Sequence, residues 1–395
     1  MKNAVTVIEI SHRFIKILIG KYFNGKVIVD YVRKIPINQI VENGAIKDKM
    51  TLLDIIAKNN PLNDEVYHIN ELLDNIVLVL PPYGLEIYET SQLTTVASPE
   101  KIVSYQDIRT LFSIISNKKL PVDNELIDII PEFYMTDNKE KHHLPPVGKQ
   151  SRDIALYCSV YTLPKRINAD YSSVITSSGI KISHKMVSTY AIKELLSTYK
   201  DLPKEYFLVD IGASSTTVSI VGANRLLATR SFAFGGDHIT ERIIESFNIN
   251  ESEAENIKKL YGYDLRKMEF AYPIVKNNAG KTFYREDLNR IIVSALDNFV
   301  SSFETSSEKL ATLYKATNYK DLPIYIVGGA SKLHGLLDYL KPKMGKENIY
   351  LLTPNNIGAR DPSLFACLGA VVVHSNHPGM LEEVNNASVT MSRED

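Results

Sequence analysis

One pattern occurs twice in this 395-residue chain, and it limits what the chain can fold into. Residues 206–221 rise through an apolar run to a single carboxylate, Asp210. They then pass Gly212 and a cluster of small hydroxyl residues and resume as an apolar run. Such a pattern reads as strand, tight turn and strand. Residues 7–19 can be laid on residues 208–220 without a gap, so that Glu9 falls on Asp210, Ser11 on Gly212, Ile17 on Val218 and Ile19 on Ile220. A third strand candidate follows each copy, at residues 26–32 and 225–231. One supersecondary unit repeated in the two halves of a chain predicts a duplicated fold. The length agrees, because 395 residues exceed what one ordinary core accommodates.

The turn has a chemistry of its own. Backbone N–H groups and small hydroxyl residues offer donors to a phosphate without bulk to block its approach. Gly212, Ser214, Ser215 and Thr216 are therefore candidate phosphate contacts, and Asp210, at the strand end, is a candidate Mg²⁺ ligand, directly or through water. Two glycine pairs, Gly235-Gly236 and Gly328-Gly329, each follow an apolar run and precede a predicted helix. There the backbone can approach a ligand and the helix N-terminus adds partial positive charge. A small-residue hairpin turn alone is ordinary; the turn with two glycine pairs in one half is a nucleotide pattern. Glu255 and Lys258 share one helix face. In isolation they read as a solvated ion pair; beside the glycine pairs they read as contacts for ribose hydroxyls and a base edge.

Composition bounds the rest. Hydrophobic residues at 44%, charged residues at 23%, a net charge of −1 and a pI near 6.8 describe a globular chain without bulk attraction to nucleic acid or anionic lipid. Cys158 and Cys367 sit in apolar segments, which predicts buried thiols in a reducing compartment rather than a disulfide framework. No signal-peptide h-region opens the sequence and no apolar run is long enough to cross a bilayer. Residues 364–373 read as a buried helix, and His142-His143 as part of a polar loop rather than a metal site.

The arrangement resembles the actin/Hsp70/sugar-kinase superfamily, and within it the FtsA family of bacterial cell-division proteins. The resemblance covers the chain to about residue 374. It is carried by residues 8–16 at the first phosphate loop, by Asn43-Gly44-Ala45-Ile46-Lys47-Asp48, and by residues 126–134 and 146–152, which are similar to that family's own inserted subdomain. Residues 234–240, 254–262 and 326–330 carry it through the second half.

The resemblance implies an α/β, two-lobed actin-like fold of the duplicated ribonuclease-H-like kind, with an FtsA-type inserted α+β subdomain. The implied layout is a lobe I core at 1–82, the insert at 83–165 and a return to lobe I at 166–205. A lobe II core follows at 206–244, its subdomain at 245–320, a return with a closing helix at 321–374, and a disordered tail at 375–395. Implied too are ATP with Mg²⁺ between the lobes, and Lys16, Asp210, Gly212, Ser214, Ser215, Thr216, Gly235, Gly236, Glu255, Lys258, Gly328, Gly329 and Ala330 as nucleotide contacts. The implied partners are the FtsZ C-terminal tail through the lobe II subdomain, further copies in a filament, and other division proteins through the insert. The implied place is the cytoplasmic face of the membrane at the division site.

The departures from that family shape the expectation. The first loop carries Glu9 for Asp, Ser11 for Gly, and the bulky pair Arg13-Phe14, which makes it a poor phosphate loop. Glu9 and Asp210 are candidate ligands of Mg²⁺-bound water. Where the family often has a water-activating glutamate stands Lys185-Met186, so ATP binding with weak or absent hydrolysis is expected. Ala295 stands where an arginine commonly serves the FtsZ tail, with Arg285 and Arg290 nearby. The tail lacks an amphipathic anchor, so membrane contact is expected only indirectly or through a segment missing here. Two alternatives stay open: a PilM-like ATP-binding scaffold of a pilus or secretion assembly, and a small-molecule kinase of the same superfamily.

Overall fold

The computed structural model describes residues 4–38, 40–59, 76–264, 273–314 and 318–376. The tail from 377 and residues 60–75 lie outside them. The chain opens with β1 (Val5–Ile10), β2 (Phe14–Phe23) and β3 (Lys26–Pro36). A small hairpin, β4 (Val41–Glu42) with β5 (Ala45–Ile46), precedes α1 (Lys49–Lys58), whose N-terminus Asp48 caps by accepting from the Thr51 N–H. Strand β6 (Ile76–Leu80) is buried at every position.

An antiparallel unit follows: β7 (Glu86–Thr95), α2 (Tyr105–Ser116), β8 (Asn124–Thr136), β9 (Lys141–His142) and β10 (Asp153–Pro164), with sheet order β7-β10-β8-β9. It has its own core, built around Leu111, Phe112, Tyr134, Ile154 and Leu156. Pro131, which has no N–H for the ladder, stands at a register shift between Phe133 and itself against β10.

The chain returns through α3 (Lys165–Ser177), β11 (Ile182–Val187) and α4 (Ser188–Ser197). The second half holds β12 (Tyr206–Ile211), β13 (Thr216–Gly222), β14 (Arg225–Phe232), α5 (Gly236–Phe247) and α6 (Glu251–Tyr261). Asn250 caps α6 in a reciprocal box with Glu253. Then come the hairpin β15 (Pro273–Lys276) with β16 (Thr282–Tyr284), α7 (Arg285–Leu313), β17 (Ile324–Val327), α8 (Leu336–Met344), β18 (Ile349–Leu351) and α9 (Phe365–Asn376).

The duplication is complete in the sheets. The first runs β11-β6-β1-β2-β3 and the second β18-β17-β12-β13-β14, with the same parallel and antiparallel pairings. In the first, Glu9 pairs with Lys16; at the matching place in the second, Asp210 pairs with Thr217. Strand β18 was not anticipated, because three residues give too short a run to distinguish from a loop.

Alternation along β12 explains how the second sheet joins two cores. Tyr206 and Leu208 face α4 and α9 in a core shared with the first sheet. Phe207, Val209 and Ile211 face the opposite way, into a core with α5 and α7. Helix α9 is buried from Phe365 to Val373, as an all-round apolar helix must be. Among the described residues, no helix is long and apolar enough to cross a membrane.

Candidate functional site

The two hairpin turns border one cleft of about 420 Å³. They are built alike. The Gly212 N–H donates to the Ser215 carbonyl at 2.8 Å, and the Ser11 N–H donates to the Phe14 carbonyl at 2.9 Å. The backbone N–H groups of Ala213, Ser214 and Ser215 take no partner among the described residues. A loop with three open donors and no bulky side chain is a fitting cradle for phosphate. Glu9, Lys16, Asp210, Gly212, Ser214, Ser215, Gly236, Glu255, Lys258, Gly328, Gly329 and Ala330 all line this cleft.

Thr216 and Gly235 lie behind its wall instead. The Thr216 hydroxyl is fully buried and donates to the Phe234 carbonyl at 2.8 Å. Gly235 lets the second turn pack on α5: a Cβ there would stand 2.2 Å from the Ala213 carbonyl oxygen. In consequence the first N–H groups of α5 are not open to a ligand. That of Gly236 donates to the Gly212 carbonyl at 3.1 Å, and that of Asp237 to the Ala213 carbonyl at 2.8 Å.

Asp210 closes the inner end. Burial pushes its carboxyl up to about 6, with the Lys16 charge opposing and the Glu9 charge adding to the rise. Lys16, expected as a nucleotide contact, is already engaged. Its ammonium donates to Glu9 Oε1 at 2.8 Å and to the Ser363 carbonyl at 2.7 Å. Glu9 also accepts from the Cys367 thiol at 3.2 Å. Both cysteines are buried and free. Among the described residues no three His, Cys, Asp or Glu side chains gather to hold a metal. One carboxylate at the strand end suits a cation whose other ligands are water and phosphate.

Glu255 and Lys258 form an internal pair at 2.6 Å rather than a solvated one. Burial alone would raise the Glu255 carboxyl, but Lys258, Thr240 and Lys259 hold it at about 2. The Lys258 ammonium also donates to the Gly236 carbonyl at 2.9 Å and the Thr240 hydroxyl at 2.7 Å, so it pins α6 to α5. Glu255 Oε2 also accepts from the Thr240 hydroxyl at 2.8 Å, and Oε1 lies 3.2 Å from the exposed Lys259 ammonium, so Oε1 is the less engaged acceptor of the pair toward a ribose hydroxyl.

The residues that sequence reasoning missed sit on the other wall. Arg13 Nε donates to Asp237 Oδ1 at 2.7 Å, a second Arg13 nitrogen stands 3.0 Å from Glu251 Oε1, and His12 Nε2 lies 3.1 Å from Asp237 Oδ2. Lys34 reaches Asp361 at 3.0 Å and the Ser363 hydroxyl at 3.1 Å. In the sequence Arg13 registers only as bulk where small residues belong. Asp237, next to a glycine pair at a helix start, was the available signal.

A family model described as Cell division protein FtsA matches residues 207–369. The Cell division protein FtsA of Streptococcus pneumoniae serotype 2 is 23% identical over 392 residues, covering 96% of this chain and 81% of that protein. The chain is similar to FtsA over most of its length. Its fold is actin-like. A solved PilM-PilN type IV pilus biogenesis complex superposes with a TM-score of 0.62 at 16% identity, covering 94% of this chain and 98% of that one. MreB 5 of Spiroplasma citri bound to AMPPNP gives a TM-score of 0.55 at 12% identity, covering 98% and 99%.

Two positions at which the sequence departs from the expected FtsA pattern can be located. Ala295 is 1% exposed in the core of the second half, so that position is not a surface contact. Arg285 is held by Asp264 at 2.9 Å, while Arg290 stays exposed beside Asp287. Lys185 donates to Asn168 at 3.0 Å and does not line the cleft.

Proposed function

We infer that this chain is an actin-like cell-division protein that binds ATP with Mg²⁺ between its lobes. It self-associates and links FtsZ polymers to the membrane at the division site. The observation that carries the reading is the second turn: three open N–H groups and Asp210 at one cleft, with Glu255 at its rim. Phosphate rests on the open N–H groups of Ala213, Ser214 and Ser215 in the turn that Gly212 opens, Mg²⁺ on Asp210 through water, and the nucleoside on Glu255, Gly328, Gly329 and Ala330. Thr216 and Gly235 shape the turn from behind. The AMPPNP held by the superposed MreB supports an adenine nucleotide as the ligand class.

Replacing Asp210 with alanine is expected to weaken Mg-ATP binding at least tenfold, about 1.4 kcal/mol. Titration calorimetry on the full chain checks this, and unchanged affinity rejects the assignment. Turnover is expected to be slow. Both Glu9 oxygens are occupied, by Lys16 and by Cys367, and Asp210, the carboxylate beside them, is the one assigned to Mg²⁺. Phosphate release at least about a hundredfold below an ordinary enzyme's ~10 per second is the expected result. Release at the ordinary rate overturns it.

Co-sedimentation with FtsZ polymers, with and without the FtsZ tail peptide as competitor, tests the partner. The near-complete superposition with PilM keeps a second reading, a nucleotide-binding scaffold for a short partner peptide. Capture of a pilus-membrane peptide in place of the FtsZ tail would select it.

A further inference from the structure

The two turns share a backbone, so what distinguishes them is side chains. Where the second turn has Ala213 and Ser214, the first has His12 and Arg13. Both reach across the cleft to α5, which is packed in the core of the second half through Ile239 and Ile243. Asp237 receives both of them, one on each oxygen, and its side chain is 11% exposed. The His12 ring is fixed from behind, because its Nδ1 bonds the Val41 carbonyl. The Asp237 N–H in turn holds the Ala213 carbonyl of the second turn. A charge-assisted, partly buried pair of this kind is the strong sort of ionic contact.

We propose that His12 and Arg13 form an ionic latch on Asp237 and Glu251 that keeps the cleft closed without nucleotide. In a cleft with two small-residue turns, closure needs a ligand that both turns can grip. Here the first turn carries its own cation and the facing helix its own carboxylate, so the lobes are joined before any ligand arrives. Nucleotide entry then requires the pair to part. The nucleotide arm of the test rests on the ATP reading above; the latch itself does not.

The experiment is amide hydrogen exchange on the ligand-free full chain, with nucleotide association rates measured in parallel. The variants are Arg13→Ala, Asp237→Asn, and the charge exchange Arg13→Asp with Asp237→Arg. Each single variant is expected to speed exchange about tenfold at the hydrogen-bonded turn amides, those of Ser11 and Gly212, with residues 206–209 of β12 unchanged. The charge exchange is expected to restore slow exchange at both turns. ATP association is expected to be at least about threefold faster in Asp237→Asn than in the unaltered chain. Unchanged exchange at the turns overturns the latch, and so does faster exchange spread evenly into β12, which reports general loosening. If neither the unaltered chain nor Asp237→Asn binds ATP, the ATP reading falls, and the exchange results alone decide the latch.

Discussion

Lys16→Met lowers the stability of the fold by about 3–5 kcal/mol, the usual cost of leaving one charge of a buried pair alone. The Lys16 ammonium is 7% exposed and bridges Glu9 and the Ser363 carbonyl. Ser363 lies 347 residues away, in the 3₁₀ turn Pro362–Leu364 that leads into α9. Without the ammonium, Glu9 keeps only the weak Cys367 thiol donor, and the turn loses its tie to the first sheet. The double variant Glu9→Gln with Lys16→Met is expected to recover a good part of the loss, because a neutral amide costs less to bury than an unpaired carboxylate. Guanidinium unfolding of the full chain measures both. A loss below about 1 kcal/mol in the single variant would mean that water already screens Glu9, as at an exposed pair.

Gly328→Ala is the second large expected effect, at about 2–4 kcal/mol, from backbone strain and overpacking together. Gly328 has φ 93° and ψ 166°, a region that glycine alone occupies readily. A Cβ there would also stand 2.3 Å from Asp210 Oδ1 and 2.4 Å from the Ile211 carbonyl oxygen. Strand β17 and the turn after it would have to move, and Asp210 with them. The same guanidinium titration reads the stability, and calorimetry with Mg-ATP reads a parallel loss of affinity. Native stability together with native affinity would show that the turn after β17 is free to shift and does not fix Asp210.

The lobe I counterpart of this position shows how far the two halves have diverged. Val79 pairs with Glu9 as Val327 pairs with Asp210, so Leu80 and Pro81 stand where the second half has Gly328 and Gly329. The first sheet thus keeps the architecture but presents bulk and ionic side chains where the second presents open backbone. On the proposed function, this asymmetry assigns phosphate to the second turn and leaves the first for the latch.

The sequence by itself determined the duplicated unit, the position of both turns, and most strands and helices that flank them. These are local properties. Apolar runs broken by small residues, an Asp48 or Asn250 cap, and an all-apolar stretch at α9 each act within a few neighbours. The gathering of Glu9, Asp210, Gly212 and Gly328 around one cleft also follows from the strand ends that carry them, whereas Glu255 and Lys258 arrive there on α6. What the tertiary structure decided was the state of the side chains there. Lys16 is bound to Glu9 and Ser363, Lys258 to Gly236 and Thr240, and Arg13 to Asp237, 224 residues on. The α5 N–H groups are taken by the second turn, which withdraws them from any ligand. Such contacts join residues far apart in the chain, and their energies depend on burial and on the few ångströms between two lobes. A periodic pattern specifies which face a residue occupies, but it carries no information on which distant partner will meet it there.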